Sequence, residues 1–427
     1  MTKTMIIEAC ASHYLESGDF NGITLGNLSR KLSLDEDQLC NFVRELVLED
    51  KLALIGPESG NPHIFAFPFK DNESQLQVLE SANQEHSCVY VRPKTLKSFV
   101  PDSLYIDQPF RRMLACGEPQ LEFKKFDLMV LEDYRNDPRY YYENWDIGGR
   151  ICAKDTEPEQ AQLPDADRVV LKTYGFAYDE SLNRAVACFL RYLSRLSPSH
   201  QQMWRARQIE GEFTLHPGYA AAEIGGSWKP HTSICVAFLG ELYLINRMTE
   251  AMGRPRLFRV DFGEHGETKP ADFSLLIRPT QKEFQSFVLL LDKTLSDNLR
   301  HKFFGPDISF EYEQEREDGR IEVKRKGMLQ ALKEWLKSNY QTSEDGWGMI
   351  EENLNVLWDV RKLRQRPAHS LDDNEFDQDL FRQQRELVDR SHRALMTIRM
   401  MLESHPAVKK SGISVPSFLE EKNVFAF

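Results

Sequence analysis

The sequence predicts an α+β protein of several domains that ends in an all-α bundle. At roughly 100–200 residues per domain, its 427 residues correspond to two to four domains. An apolar fraction of 41% and a charged fraction of 28% are typical of a chain that builds ordinary cores. Strand and helix patterns alternate up to about residue 308, and mainly helical patterns follow. We therefore expect an α+β middle domain over 88–307 and a helical bundle with a tail over 308–427.

The first 68 residues predict a helix, a helix-turn-helix and a hairpin, in that order. Residues 4–17 have an amphipathic helical pattern, and Thr24 is placed to cap a second short helix. The segment Ser33–Glu36 has the form of a capping box that would begin a third helix. Two apolar runs flank a turn-rich stretch and predict the hairpin, at 52–55 and 64–67. With this order of elements, the segment 1–68 resembles the winged helix-turn-helix superfamily.

DNA binding is the function that a winged helix suggests first, with the third helix in the major groove. The charges of residues 1–67 argue against DNA binding. Residues 1–67 contain five basic and ten acidic side chains, and the third helix would begin with Asp35, Glu36 and Asp37, facing the phosphates. We therefore expect this module to dock a protein partner or to dimerise. A winged-helix DNA-binding regulator stays as an alternative.

The middle of the chain predicts alternating strands and helices without a recognisable catalytic motif. We expect strands at 88–92, 169–178, 256–262 and 273–279, and helices at 121–126, 127–134, 183–208, 232–253 and 283–304. No phosphate-binding loop, dinucleotide fingerprint or zinc-protease motif occurs, so we expect no cofactor. His216 and His231 could ligate a metal, but their spacing fits no ligand pattern, so we expect no metal. The phrases within 117–146 and 189–204 resemble a family of bacterial proteins without an assigned activity.

The C-terminal part predicts three helices, at 327–340, 348–365 and 379–405. Arg364 and His369, between the second and the third, form an R-x4-H arrangement. Pro367 must end the second helix, because its ring and missing N–H disrupt the preceding turn. Arg364 is therefore expected at a helix end, with His369 just past it.

This arrangement over residues 311–405 resembles the HEPN superfamily, whose small all-α domains are often dimeric and include many metal-independent ribonucleases. The resemblance implies that Arg364 and His369 are catalytic. Gln365 departs from the family, which commonly has Asn, Asp or His after the arginine. Three further side chains would bind RNA and supply a local positive field: Arg361, Lys362 and Arg366.

Such a pair suits RNA cleavage. His369 could shuttle a proton at neutral pH, and Arg364 could bind a phosphate through two parallel hydrogen bonds. A two-fold homodimer would bring two such pairs into one cleft. The resemblance implies an endoribonuclease effector, of the kind used in bacterial stress responses or phage defence.

A non-enzymatic interpretation is also open. The acidic side chains of 372–379 could pair with Arg361, Arg364 and Arg366 in a solvated surface network. The chain would then be an interaction or adaptor protein that dimerises through its bundle.

The net charge and the cysteine content indicate which partners and which cellular compartment to expect. A net charge of −12 argues against non-specific coating of nucleic acid, which depends on Lys and Arg. Seven widely spaced cysteines without a C-x-x-C pair suit reduced thiols in the cytosol. The sequence shows neither a signal peptide nor a run of about 20 apolar residues. We expect a cytoplasmic protein without a membrane partner.

Overall fold

The computed structural model of the chain divides it between two compact units. One unit comprises residues 1–144 and 148–227, and the other comprises 145–147 and 228–427. The residues that the structure describes are 3–80, 84–101, 103–135, 137–145, 147–154, 163–226, 232–270, 272–315, 319–365, 374–420 and 423–425. The fold class is α+β, as predicted, with several sheets and a helical C-terminal part. Among the described helices, none has both the length and the apolar character needed to cross a bilayer.

The elements before residue 228 are short helices and strands. The helices are α1 (Lys3–Glu16), α2 (Leu25–Leu32), α3 (Glu36–Leu48), α4 (Asn72–Val78), α5 (Pro93–Leu96), α6 (Pro109–Ala115), α7 (Glu132–Arg135), α8 (Leu190–Leu193), α9 (Pro198–Ala206) and α10 (Pro217–Glu223). The strands are β1 (Ile23–Thr24), β2 (Leu52–Ile55), β3 (Cys88–Val91), β4 (Phe123–Phe126), β5 (Tyr140–Trp145), β6 (Gly148–Ala153), β7 (Val170–Tyr178), β8 (Arg184–Phe189) and β9 (Thr214–Leu215).

Longer helices dominate after residue 228. They are α11 (Ile234–Ala251), α12 (Gln281–Thr294), α13 (His301–Phe304), α14 (Met328–Asn339), α15 (Glu344–Gln365), α16 (Gln378–Glu403) and α17 (Pro406–Ser411). The strands are β10 (Thr232–Ser233), β11 (Glu311–Glu315), β12 (Ile321–Arg325) and β13 (Val424–Phe425).

The chain begins with the elements α1, β1, α2, α3 and β2, in that order. The strands β1 and β2 pair with β3, which lies between them in a three-stranded antiparallel sheet. Thr24 caps α2 as predicted, because its hydroxyl accepts a hydrogen bond from the Asn27 amide. The predicted capping box at Ser33 is wrong. Ser33 ends α2 in a left-handed conformation, and Asp35 precedes α3 without a side-chain cap.

The partner of β2 also differs from the prediction. Residues 64–67 form no strand, and β2 pairs instead with β3, which the sequence analysis had placed at the start of the middle domain. Phe65 turns inward and stacks on Phe69 at 4.0 Å, while its carbonyl accepts a hydrogen bond from Gln120 N at 2.7 Å. The backbone of 64–67 is thus held by residues much further along the chain, which a local turn pattern cannot reveal.

A larger sheet has the order β4-β8-β7-β6-β5, with β9 also paired to β7. Two of its strands replace predicted helices. Residues 121–126 were expected to be helical but contain β4, and the predicted helix 183–208 begins with β8. All residues of β8 are buried, and a short continuous apolar run does not distinguish a buried strand from a buried helix.

In the second unit, α16 contacts α11, α12 and α15, and α12 also contacts α15. Both α11 and α12 belong to the predicted middle domain, so the packed helices extend beyond the boundary predicted at 308. The predicted middle domain, 88–307, is divided between the two units.

The segment 311–325, expected to be helical, contains the exposed antiparallel hairpin β11–β12. The expected tail contains α17 and buries Phe418 and Leu419.

The strand predicted at 256–262 is wrong, although this segment pairs its backbone much as a strand would. The buried amide of Asn246 accepts from Phe258 N at 2.8 Å and donates to Phe258 O at 3.1 Å. Asn298 does the same for Val260, accepting at 2.9 Å and donating at 2.7 Å. Two side-chain amides, together with one antiparallel backbone bridge between Phe258 and Leu299, therefore bind this segment in place of a full neighbouring strand.

The strand predicted at 273–279 is replaced in the same way. Gln384 of α16 accepts from Leu276 N at 2.7 Å and donates to Ser274 O at 3.0 Å. Gln384 is fully buried, so its side-chain amide finds both partners within the protein, one of them the buried Leu276 N–H.

Candidate functional site at the end of helix α15

Helix α15 carries the predicted site residues at its C-terminal end and packs against α12. Leu357, Arg361 and Arg364 follow one another at i, i+4 and i+7, so they share a face of the helix. Leu357 is buried, and the arginine side chains are 41% and 31% exposed. The two guanidinium groups thereby reach the C-terminal end of α12.

Two aspartates from the end of α12 meet these arginines. The Arg364 Nη1 group donates to Asp297 Oδ2 at 2.6 Å and also to the Asp292 carboxylate. The Arg361 Nη1 group donates to Asp297 Oδ1 at 2.8 Å and to Ser296 Oγ at 2.9 Å, and lies 3.4 Å from Asp292 Oδ2. The Ser296 hydroxyl in turn donates to Asp292. We call these five residues the Asp292 cluster.

The arginines compensate a carboxylate in an unfavourable place. The Asp292 side chain has no exposed surface and lies in the last turn of α12, where the helix dipole disfavours a negative charge. Burial by itself would raise the pKa of Asp297, but hydrogen bonds from Arg364 and Arg361 outweigh it and hold that pKa below its usual value. Hydrogen bonds to Asp292 and Asp297 raise the pKa of Arg364.

The structure thus places Arg361 and Arg364 together, but with partners that the sequence analysis did not foresee. Lys362 is exposed on the same turn of α15. Arg366 and His369 lie outside the described residues. Asp379, one of the acids proposed as a partner of the arginines, pairs with Arg382.

Asp292 and Asp297 are the site residues that sequence reasoning missed. A signal was present in the apolar run at 287–291, because the residue that follows it falls on the buried face of α12. An acid at such a position requires a buried cation. The sequence could not show which of several arginines supplies it.

A pocket of about 530 Å³ adjoins the Asp292 cluster. Its lining includes Arg361, the partly exposed indole of Trp358, and the exposed Arg259. It also includes the first turn of α14, whose N-cap, Gly327, makes no side-chain cap. A helix N-terminus attracts anions, since its first amide groups have no partner within the helix. The pocket therefore combines two arginines, of which Arg361 is paired with Asp297 in the same lining, with an anion-attracting helix end and an aromatic face.

Two further side chains of the first unit that could take part in chemistry, His216 and Tyr140, make structural contacts instead. His216 is buried and caps α10, its Nδ1 accepting from Gly218 N at 3.0 Å, while His231 lies outside the described residues. Tyr140 is buried in β5 and stacks edge-on against Tyr134. Within the described part of the chain, no three His, Cys, Asp or Glu side chains form a group that could hold a metal ion.

The N-terminal helices keep the acidic character that the sequence indicates. Glu36 and Asp37 occupy the first turn of α3. Arg30, which could otherwise contact a phosphate, donates to Asn27 Oδ1 at 2.7 Å and to Gly26 O at 3.2 Å.

Comparison with known proteins adds no relative to these observations. No family model, curated protein or solved structure matches this chain.

Proposed function

We propose that the chain is a metal-independent endoribonuclease whose site lies at the C-terminal end of α15. The pocket beside the Asp292 cluster carries this proposal. Arg361 and Arg259 supply positive charge, the start of α14 attracts anions, and Trp358 offers a face on which a base can stack. The R-x4-H resemblance supplies the expectation that the ligand is RNA.

Arg361 and Arg364 have different roles in this proposed site. Arg361 lines the pocket and uses only Nη1 in the Asp292 cluster, so its Nε and Nη2 have no hydrogen-bond partner among the described residues. We assign phosphate binding to Arg361. Arg364 does not line this pocket and donates to both aspartates, so it is a positioning residue that fixes the end of α15.

His369 supplies the proton transfer in this scheme. His369 is the fourth residue after the end of α15, and a chain of that length spans at most about 14 Å. As the bond from the 2′-oxygen to phosphorus forms, a base removes the 2′-hydroxyl proton. As the bond to the 5′-oxygen breaks, an acid delivers a proton to it. A homodimer would provide one histidine for each role. The products are a 2′,3′-cyclic phosphate and a 5′-hydroxyl.

The experiment is cleavage of total tRNA, with EDTA throughout, by the wild-type chain and by His369→Ala. We expect 5′-hydroxyl fragments from the wild type and a loss of at least 100-fold in rate for the variant, roughly the contribution of one general acid or base. The matched control is His86→Ala, which removes an exposed histidine of the first unit and should cleave like the wild type. Equal cleavage by His369→Ala would place the site elsewhere.

A second candidate function is favoured by the ion pair of Arg364 with the buried Asp292. If the cluster only fixes the bundle, the chain is a non-enzymatic interaction protein that docks through its N-terminal helices or dimerises through α16. The order α1, β1, α2, α3, β2, β3, with β3 between the other two strands, supports a winged-helix docking module there. This candidate predicts that tRNA stays intact with every variant, and that exposed α16 substitutions alter the molecular mass in solution.

A further inference from the structure

The first unit contains a pocket of about 400 Å³ that is unrelated to the proposed RNA site. Its walls are the segment after β2, the helix α4, and residues from α8 and α10. The lining combines apolar side chains with the charged Glu58 and Lys70; the apolar ones include Leu54, Ile64, Phe67, Val78 and Ile224. The volume lies within the range of small-molecule sites.

Hydrogen bonds to backbone groups hold the walls of this pocket in place. The buried amide of Gln75 accepts from Leu54 N at 2.9 Å and donates to Lys70 O at 2.5 Å, which ties α4 to β2 and to the loop. Leu121 N donates to Ala66 O at 3.2 Å on the opposite side. These contacts keep the cavity formed without a ligand, so little ordering is required on binding.

Arg191 places an unused donor at the pocket. Its Nε is buried and has no hydrogen-bond partner in the described structure, although its guanidinium lies over the Tyr192 ring at 5.4 Å. The Arg191 guanidinium also makes no ion pair with the described residues, so an anionic ligand in the pocket would supply its counter-charge. Glu223, which also lines the pocket, already accepts from the Tyr192 hydroxyl at 2.8 Å.

Exposed apolar side chains mark the mouth. Phe67 is 50% exposed and Ile224 is 40% exposed, and both line the pocket. An apolar rim around a partly buried cation fits a ligand with an apolar body and one acidic group. We infer that the first unit binds a small organic carboxylate, with its aromatic or alkyl body against the apolar wall and its carboxylate on Arg191.

The test uses the full chain and the dye 1-anilinonaphthalene-8-sulfonate, an apolar anion that fluoresces in such sites. The dye is displaced with 4-phenylbutyrate, 4-phenylbutylamine or 4-phenylbutanol, which share one body and differ in the head group. We expect saturable dye binding, and displacement by the carboxylate at a concentration at least tenfold below that needed with the amine or the alcohol.

Substitutions of arginine show whether the dye and the carboxylate bind in this pocket. Arg191→Met should weaken dye and carboxylate binding at least tenfold, and Arg191→Lys should weaken it less because the charge remains. The matched control is Arg195→Met, which removes a nearby arginine that pairs with Asp19 and does not line the pocket. Thermal unfolding of each variant shows that it is folded. Absence of saturable dye binding, displacement by the amine as effective as by the carboxylate, or unchanged binding by a folded Arg191→Met would each overturn the proposal.

Discussion

Arg364, in the last turn of α15, donates a hydrogen bond to the fully buried carboxylate of Asp292, in the last turn of α12. The arginine that the R-x4-H pattern marks as catalytic therefore compensates a buried charge between two packed helices. This contact separates the role of Arg364 from that of Arg361, which faces the adjoining pocket.

The first prediction concerns the stability that this contact provides. Arg364→Met should lower the free energy of unfolding by about 2 to 3 kcal/mol, because it leaves a buried carboxylate with only the more distant Arg361 as counter-ion. Denaturant unfolding measures the change. Adding Asp292→Asn to Arg364→Met should recover part of the loss, since no buried charge then remains unpaired.

The control for this prediction is Arg393→Met. Arg393 is 60% exposed and pairs with Asp389 on the same helix, so its loss should change the free energy of unfolding by less than about 1 kcal/mol. A loss with Arg364→Met no larger than with Arg393→Met would show that the buried pair contributes little.

The second prediction concerns the amide that replaces a strand. Gln384→Ala should lower the free energy of unfolding by about 2 to 4 kcal/mol, because Leu276 N and Ser274 O lose their partners inside the protein. Gln383→Ala, on the same helix but exposed, should change it by less than about 0.5 kcal/mol. Equal effects of the two substitutions, measured by denaturant unfolding, would refute the role assigned to Gln384.

The third prediction concerns pH. Burial, followed by the charges of Arg399 and Arg393, lowers the pKa of His392 from 6.5 to about 4. The unfolded chain then binds more protons than the folded one between these values. The stability that His392 contributes is therefore present above pH 6.5 and is lost as the pH falls toward 4.

The ionisation of Glu241 makes stability depend on pH in the direction opposite to that of His392. Burial raises its pKa from 4.5 to about 7, against the pull of Arg399, so its contribution to stability decreases as the pH rises from 4.5 to 7. His392→Gln leaves only the Glu241 effect of these two. We expect the stability of this variant, relative to wild type, to increase as the pH falls from 6.5 to 4.5. A constant difference between the two proteins over this range would contradict the shift assigned to His392.

The parts of the fold that the sequence predicts well are those with local causes. Thr24 caps α2 through its own neighbour, and the apolar pattern of 232–253 is sufficient to place α11. Where the cause lies far along the chain, prediction fails. The segment 256–262 has the composition of a strand, but Asn246 of α11 and Asn298 of the turn after α12 bind its backbone through their side-chain amides.

The candidate site shows the same limit. The sequence predicts that Arg364 lies at a helix end, and Arg364 is in the last turn of α15, on the same face as Arg361. Their partners, Asp292 and Asp297, are more than 60 residues away in sequence, whereas the acids of 372–379 are close by. Proximity in sequence favours the acids of 372–379, of which Asp372 and Asp373 lie outside the described residues, whereas the packing of α12 on α15 brings Asp292 and Asp297 to the arginines.

The division of roles between the two arginines is the central claim, and one series of measurements tests it most directly. The tRNA cleavage rate and the free energy of unfolding are measured together, in EDTA, for wild type, Arg361→Met and Arg364→Met. We predict that Arg361→Met cleaves at least about tenfold more slowly while losing less than about 1 kcal/mol of stability, and that Arg364→Met is the less stable of the two. Cleavage by Arg361→Met at the wild-type rate would contradict the account.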